Sequence, residues 1–135
     1  KRYNSQMALV MIDVDHFKAI NDEFGHASGD EALRAVARLC RGETRDCDLV
    51  GRYGGEEFVI MLPETSSEGA LITANRLCRR IEAEYIPSEK GTIRLTVSVG
   101  VAGLSPEITT LEKLLDQADQ AMYRAKKAGR NRATD

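Results

Sequence analysis

The chain has 135 residues, 42% of them hydrophobic and 30% charged, a balance that suits one globular domain with its own core. Its formal charge of −2 excludes recognition of nucleic acid or an acidic membrane surface through net charge, so a phosphate-rich ligand needs a local cationic patch or metal ions. Three cysteines without a C-x-x-C speak against a disulfide framework or zinc site, and no apolar run is long enough to span a membrane.

Free thiols fit a reducing compartment. No signal peptide opens the chain, and the missing start methionine suggests an excised domain. The expected location is cytoplasmic, with no direct membrane contact by this domain, whether or not the parent protein is membrane-anchored.

Residues 7–14 form an unbroken apolar run, the mark of a strand buried on both faces. The run ends in Asp13-Val14-Asp15. A carboxylate at the end of a buried strand needs a partner, a hydrogen bond or a metal. Asp15 reads equally as the N-cap of the helix that follows. That explanation does not serve Asp13, which reads as a metal ligand or a structural carboxylate.

Residues 16–24 read as a short helix with Phe17, Ile20 and Phe24 on one stripe, stopped by Gly25. Ser28-Gly29-Asp30-Glu31 has the form of a capping box for a second helix reaching about Arg41. Taken singly, Asp30 is a first-turn acid, Asn21 a solvated helix residue and His26 a polar loop residue. Residues 42–48 are a polar loop in which Arg45 and Asp48 make a surface ion pair of little weight.

Gly54-Gly55 between apolar runs predicts a tight hairpin turn with positive φ. Glu56 and Glu57 follow it and should point to opposite faces. Thr65-Ser66-Ser67-Glu68 opens a third helix by a capping box; Leu71, Ala74, Leu77, Cys78 and Ile81 face inward, and Arg76, Arg79 and Arg80 form a solvated basic face. Residues 92–101 alternate as a half-covered antiparallel strand. Thr109 and Glu112 cap a last helix, with Leu111, Leu114, Leu115, Ala118 and Met122 inward, and it closes in Lys126-Lys127-Ala128-Gly129-Arg130-Asn131.

The predicted order is β-α-α-β-β-α-β-α. It implies an α/β (α+β) sandwich, ferredoxin-like or palm-like, with helices packed on a central, mainly antiparallel sheet. In such a core the first strand neighbours the hairpin, so Asp13 can face Glu56. Converging carboxylates suit hard cations such as Mg²⁺ in phosphoryl transfer, although spacing alone does not separate that site from an acidic rim.

Three blocks carry more. Gly54-Gly55-Glu56-Glu57-Phe58, the stretch Asp13-Val14-Asp15-His16-Phe17-Lys18 with Asn21-Asp22, Phe24-Gly25-His26 and Gly29-Asp30, and the terminal Ala125-Lys126 with Gly129-Arg130-Asn131 together resemble the GGDEF domain family, the catalytic domains of bacterial diguanylate cyclases. The blocks span nearly the whole chain as a single domain. One departure is that nothing like the family's D-x-L-T-G-L-x-N-R-R segment is found between Lys1 and Gln6, and the 135 residues are expected to hold the one domain without a sensor domain.

The resemblance implies that Asp13, the Val14 carbonyl and Glu56 hold Mg²⁺ or Mn²⁺, two ions per site. It implies that Asn21 and Asp30 read guanine, whose N1–H and exocyclic amine are donors; adenine would leave Asp30 mismatched at a cost of about 1–3 kcal/mol. Phe17 and Lys18 would lie beside the triphosphate, Lys126 and Arg130 would grip phosphates from one helix face, and His26 would meet the ribose. Glu57 would be a second-metal ligand or a base for the 3′-hydroxyl.

The implied reaction condenses two GTP into cyclic di-GMP and two pyrophosphates across a homodimer. An R-x-x-D lying five residues before the glycines, here Arg45 and Asp48, implies an inhibitory product site, with Arg76 as a second arginine. Two further readings stand beside the enzyme. One is a catalytically silent receptor for cyclic di-GMP or GTP that regulates a neighbouring domain. The other is a different nucleotidyl cyclase or palm-like transferase.

Overall fold

Residues Met7–Val14 form β1, and every residue after Met7 is buried. The computed structural model describes residues 6–135; the expectation about the stretch ahead of the first strand, Lys1 to Gln6, falls almost wholly outside them. After β1 come α1 (Phe17–Phe24), α2 (His26–Gly42), β2 (Leu49–Arg52), β3 (Glu57–Pro63), α3 (Ser67–Glu82), β4 (Val97–Gly103), α4 (Leu111–Lys127) and β5 (Arg132–Thr134). The sheet order is β2-β3-β1-β4-β5. β1 is central and antiparallel to both β3 and β4, while β5 joins parallel to β4. The expected mixed α/β architecture with a mainly antiparallel sheet is therefore the one observed.

Side-chain alternation along β1 divides the interior into two layers. Val10, Ile12 and Val14 enter a large core with residues of α1, α2 and α3, including Phe17, Leu33, Val36, Leu77 and Ile81. Leu9 and Met11 enter a smaller core with Leu114, Ala118 and Met122 of α4. Asp13 continues the second row. α4 lies directly on β4 because Gly100 has no side chain; a Cβ there would collide with the Ala118 carbonyl oxygen and the Met122 backbone nitrogen.

Several expected boundaries move. α2 starts at His26, two residues before Ser28, and has no side-chain cap bond. Gly25, at φ 91°, ends α1 and turns the chain straight into α2, so no capping box is needed. α3 is capped by Ser66, whose hydroxyl accepts from the Gly69 N–H at 3.1 Å, while Thr65 donates to the Pro63 carbonyl. α4 is capped by Thr110 rather than Thr109, and Leu111 is exposed.

β4 begins at Val97; the buried Ile93 pairs only with Ile86 in an isolated bridge. β4 is covered on both faces, not one. Its second row of Ser98, Gly100 and Ala102 looked solvent-facing in the sequence because it is small, and small residues are what let α4 approach. The chain also does not finish on the helix bearing Lys126, since β5 follows it.

Gly54 and Gly55 are not among the positive-φ residues. The hairpin loop spans residues 53–56, and the Tyr53 N–H donates to the Glu57 carbonyl at 2.8 Å. A four-residue loop does not require the left-handed pair that a two-residue turn needs.

Candidate active site

Two strand ends and two helix ends meet at one end of the sheet, above its central strand β1. Asp13 leaves β1 beside the hairpin loop, and the Val14 N–H donates to the Glu56 carbonyl at 3.2 Å. Asp13, Val14, Phe17, Lys18, Glu56, Lys126 and Arg130 line one cleft of about 190 Å³, together with Asp15 and His16. His16, in the left-handed region at φ 55°, starts α1 without a side-chain cap bond. The free N–H groups of the first turn of α1, at Phe17 and Lys18, are thus at the cleft, where unsatisfied donors favour an anion.

Charge is concentrated here. Asp13 is buried and pairs with the Lys126 ammonium. Burial first, then the neighbouring Asp13 carboxylate, raises the Glu56 carboxyl above its ordinary range, with Lys126 pulling the other way. Glu57 is the direct cross-strand partner of Asp13 and is raised by the same two causes in the same order. Glu57 does not line the cleft. Its carboxylate occupies the space above Gly54, where a Cβ would stand 2.7 Å from its Oε1.

The donors suit a hard cation. The Asp13 carboxylate opposes ionisation of Glu56, and a cation between them relieves that opposition. Among the described residues no group of three His, Cys, Asp or Glu converges, so the protein's share of a coordination sphere would be these two carboxylates and the Val14 carbonyl.

Lys126 and Arg130 both reach the cleft, but not from one helix face. α4 ends at Lys127, and Arg130 follows Gly129 in the left-handed region at φ 64°. Asn21, His26 and Asp30 do not line the cleft. Asn21 is packed against Gly29, and its Oδ1 is buried without a hydrogen-bond partner; a Cβ at Gly29 would overlap that atom. His26 and Asp30 are exposed on α2, one turn apart.

Arg45 and Asp48 are a built structure rather than a loose surface pair. The Arg45 Nη2 donates to Asp48 Oδ1 at 2.7 Å, its Nε to Oδ2 at 3.2 Å, and its backbone N–H to Oδ2 at 2.7 Å. Nη2 also donates to the Pro63 carbonyl and the Thr65 hydroxyl. Burial pushes the Asp48 carboxyl up, but these Arg45 bonds outweigh it and hold the carboxyl below its ordinary value. Both residues line a cavity of about 210 Å³. Arg76 does not; it donates to Glu43 at 2.7 Å.

Sequence reasoning missed Asp15, Arg79 and Asn131. Asp15 is not an N-cap. Its carboxylate accepts from the Thr96 and Ser98 hydroxyls, both at 2.6 Å, and from the Asn131 N–H at 3.0 Å. Arg79, expected on a solvated face, donates to the Asn131 carbonyl at 3.0 Å. The available signal was Gly129 followed closely by Asn131, two residue types that accept left-handed backbone.

A second cavity, about 390 Å³, lies beyond Asp15 and His16 against Ile20, Phe24 and Leu95, and it shares neither Asp13 nor Glu56. All three cysteines are free; burial pushes Cys40 up to about 12 and Cys78 up to about 11, so neither is a nucleophile near neutrality. Among the described residues no helix is long and apolar enough to cross a membrane.

The family model described as "Diguanylate cyclase, GGDEF domain" matches residues 1–132. Diguanylate cyclase A of Treponema denticola is 40% identical over 128 residues, which are 95% of this chain and 34% of that protein. The probable diguanylate cyclase DgcC of Escherichia coli K12 is 41% identical over 132 residues, 98% of this chain and 35% of that protein. The chain thus spans about a third of the length of these curated relatives. The active GGEEF domain of a diguanylate cyclase from Vibrio cholerae superposes with a TM-score of 0.89 at 36% identity, covering 96% of this chain and 81% of that one. The GGDEF domain of DgcB from Caulobacter crescentus, solved in complex with c-di-GMP, gives 0.90 at 30% identity, covering 96% and 77%.

Proposed function

The chain belongs to the GGDEF family, and from that premise we propose that it is the catalytic domain of a diguanylate cyclase. The observation that carries this reading is the convergence of Asp13, Glu56, Lys126 and Arg130, drawn from the start, middle and end of the chain, on one cleft at the start of α1. Two GTP molecules are condensed, one held by each domain of a homodimer. Each 3′-hydroxyl oxygen bonds to the α-phosphorus of the opposite nucleotide, the bond from that phosphorus to the bridging oxygen breaks, and pyrophosphate leaves.

Lys126, Arg130 and the N–H groups of Phe17 and Lys18 hold the phosphates. Asn21 and Asp30 read guanine, and His26 contacts the ribose. Glu57 assists from beside the cleft, as a second-metal ligand or as the base for the 3′-hydroxyl; burial and the Asp13 carboxylate raise its carboxyl. Two Mg²⁺ or Mn²⁺ ions, held by Asp13, Glu56 and the Val14 carbonyl, would supply charge stabilisation at the reacting phosphate when bound. Catalysis is then chiefly positioning and electrostatics.

Arg45 and Asp48 form the product site that restrains the reaction, with Arg76 as a peripheral contact. The decisive experiment dimerises the protein artificially, supplies GTP and Mg²⁺, and identifies the product by mass spectrometry. Cyclic di-GMP is expected. Binding of GTP or cyclic di-GMP without turnover would replace this reading by the receptor one.

A further inference from the structure

Gly129, Arg130 and Asn131 adopt φ of 123°, 64° and 49° in succession. Left-handed backbone is disfavoured for a residue with a Cβ, and two such residues in a row persist only where their surroundings hold them. Here the holding groups are explicit. Asp15 Oδ2 accepts the Asn131 N–H at 3.0 Å. The Asn131 side chain donates to Glu82 Oε2 at 2.8 Å, and Arg79 donates to both the carbonyl and Oδ1 of Asn131.

Asp15 is itself anchored. Its N–H donates to the Thr96 carbonyl at 2.9 Å, Ser98 donates to its Oδ1 and Thr96 to its Oδ2. Oδ2 thus accepts two hydrogen bonds and Oδ1 one, which ties the Asp15 carboxylate to β4 and to the Asn131 turn. By contrast, the Arg130 side chain lines the cleft and has no hydrogen bond or ion pair to another described residue, so its aim depends on its backbone.

We propose that Asp15 is a positioning residue: by holding Asn131 it locks the left-handed turn that presents Arg130 to the phosphate side of the cleft. The inference rests on the phosphate-binding part of the proposed function. It adds a residue that touches neither substrate nor metal, and it gives the second aspartate of the Asp13-Val14-Asp15 pair a task different from the first.

The test uses amide hydrogen exchange, together with calorimetric titration of inorganic tripolyphosphate without added metal and of GTP. Asp15→Asn should speed exchange at the Asn131 amide and weaken tripolyphosphate binding, each by about tenfold or more, while protection in β1 and α4 is retained. Arg130→Ala should weaken binding similarly, and the double variant should bind no more weakly than Arg130→Ala alone. Thr96→Val, which keeps the side-chain shape and removes one anchor of Asp15, should act in the same sense with a smaller effect, and it decides the matter if Asp15→Asn does not fold.

Losses that multiply in the double variant would overturn the proposal. So would a loosened Asn131 with undiminished tripolyphosphate affinity, or a wild-type chain that binds no tripolyphosphate. A wild-type chain that binds tripolyphosphate but not GTP would sink the nucleotide reading and leave this one standing.

Discussion

Asp13 and Asp48 are both buried acids paired with a cation, and the two pairs are built in opposite ways. Arg45 and Asp48 lie three residues apart and are bound by two guanidinium bonds and a backbone N–H, with the arginine also fastened to Pro63 and Thr65. Lys126 reaches Asp13 from the far end of the chain through a single ammonium contact. A bidentate fork fixes geometry, whereas an ammonium on a flexible stem changes partner readily. The first pair suits a recognition surface that is ready before its ligand arrives. The second suits a site whose cation moves to a phosphate and whose acid is then free for a metal.

The sharpest test of this contrast is at the cleft. Asp13→Asn or Glu56→Gln should lower cyclic di-GMP formation by on the order of 10³-fold or more, because charge stabilisation at the reacting phosphate is lost. Circular dichroism should show the fold retained. Near-wild-type product formation by either variant would break the assignment of the cleft.

At the other pair the expected loss is in binding rather than turnover. Arg45→Ala should remove calorimetric binding of cyclic di-GMP and lower the thermal midpoint, since Asp48 would stay buried with one backbone N–H and the weak Cys47 thiol as donors. Unchanged binding would refute the product site. A smaller effect sharpens the idea of partner exchange. Lys126→Met should strengthen Mn²⁺ binding to the ligand-free chain several-fold, measured by electron paramagnetic resonance, while weakening GTP. Weaker Mn²⁺ binding would mean that Lys126 does not compete for Asp13.

The smallest effect is in pH. Glu56 and Glu57 have raised carboxyl pKa values in the folded chain, so their ionisation costs stability, and that cost is relieved as pH falls from neutrality toward their folded values. Asp48 is lowered, so it contributes stability above its unfolded value of about 4, lost only as pH falls through its folded value. The thermal midpoint should therefore rise on mild acidification before falling, and Glu57→Gln should flatten the rise. A midpoint that declines steadily from pH 7 would contradict this.

What could be read from the sequence follows the same local-versus-distant division. The buried β1, the amphipathic helices and the Arg45–Asp48 spacing are local patterns, and each has its counterpart in the fold. The convergence of Lys126 with Asp13 spans most of the chain, and only the resemblance pointed to it. The caps of α3 and α4 were each misplaced by one residue because Thr65-Ser66 and Thr109-Thr110 offer adjacent hydroxyls, and which one caps depends on chain direction at the helix entry. β5 was missed because three residues carry no periodic signal; it exists because the Asn131 turn delivers it beside β4. Asp15 was misread because a helix start after an aspartate is locally sufficient, and its true partners are more than eighty residues away.

The two-layer division of β1 reaches beyond the site. Asp13 sits in the row that faces α4, one position past Met11, where that row emerges from its core. A slip of β1 by one residue against its neighbours would turn every side chain over and drive this carboxylate among Phe17, Ile20 and Phe58. An unpaired charge in that interior is among the costliest errors a domain can make. The acid proposed to serve catalysis thus also carries register information: its charge makes the slipped sheet the costlier one.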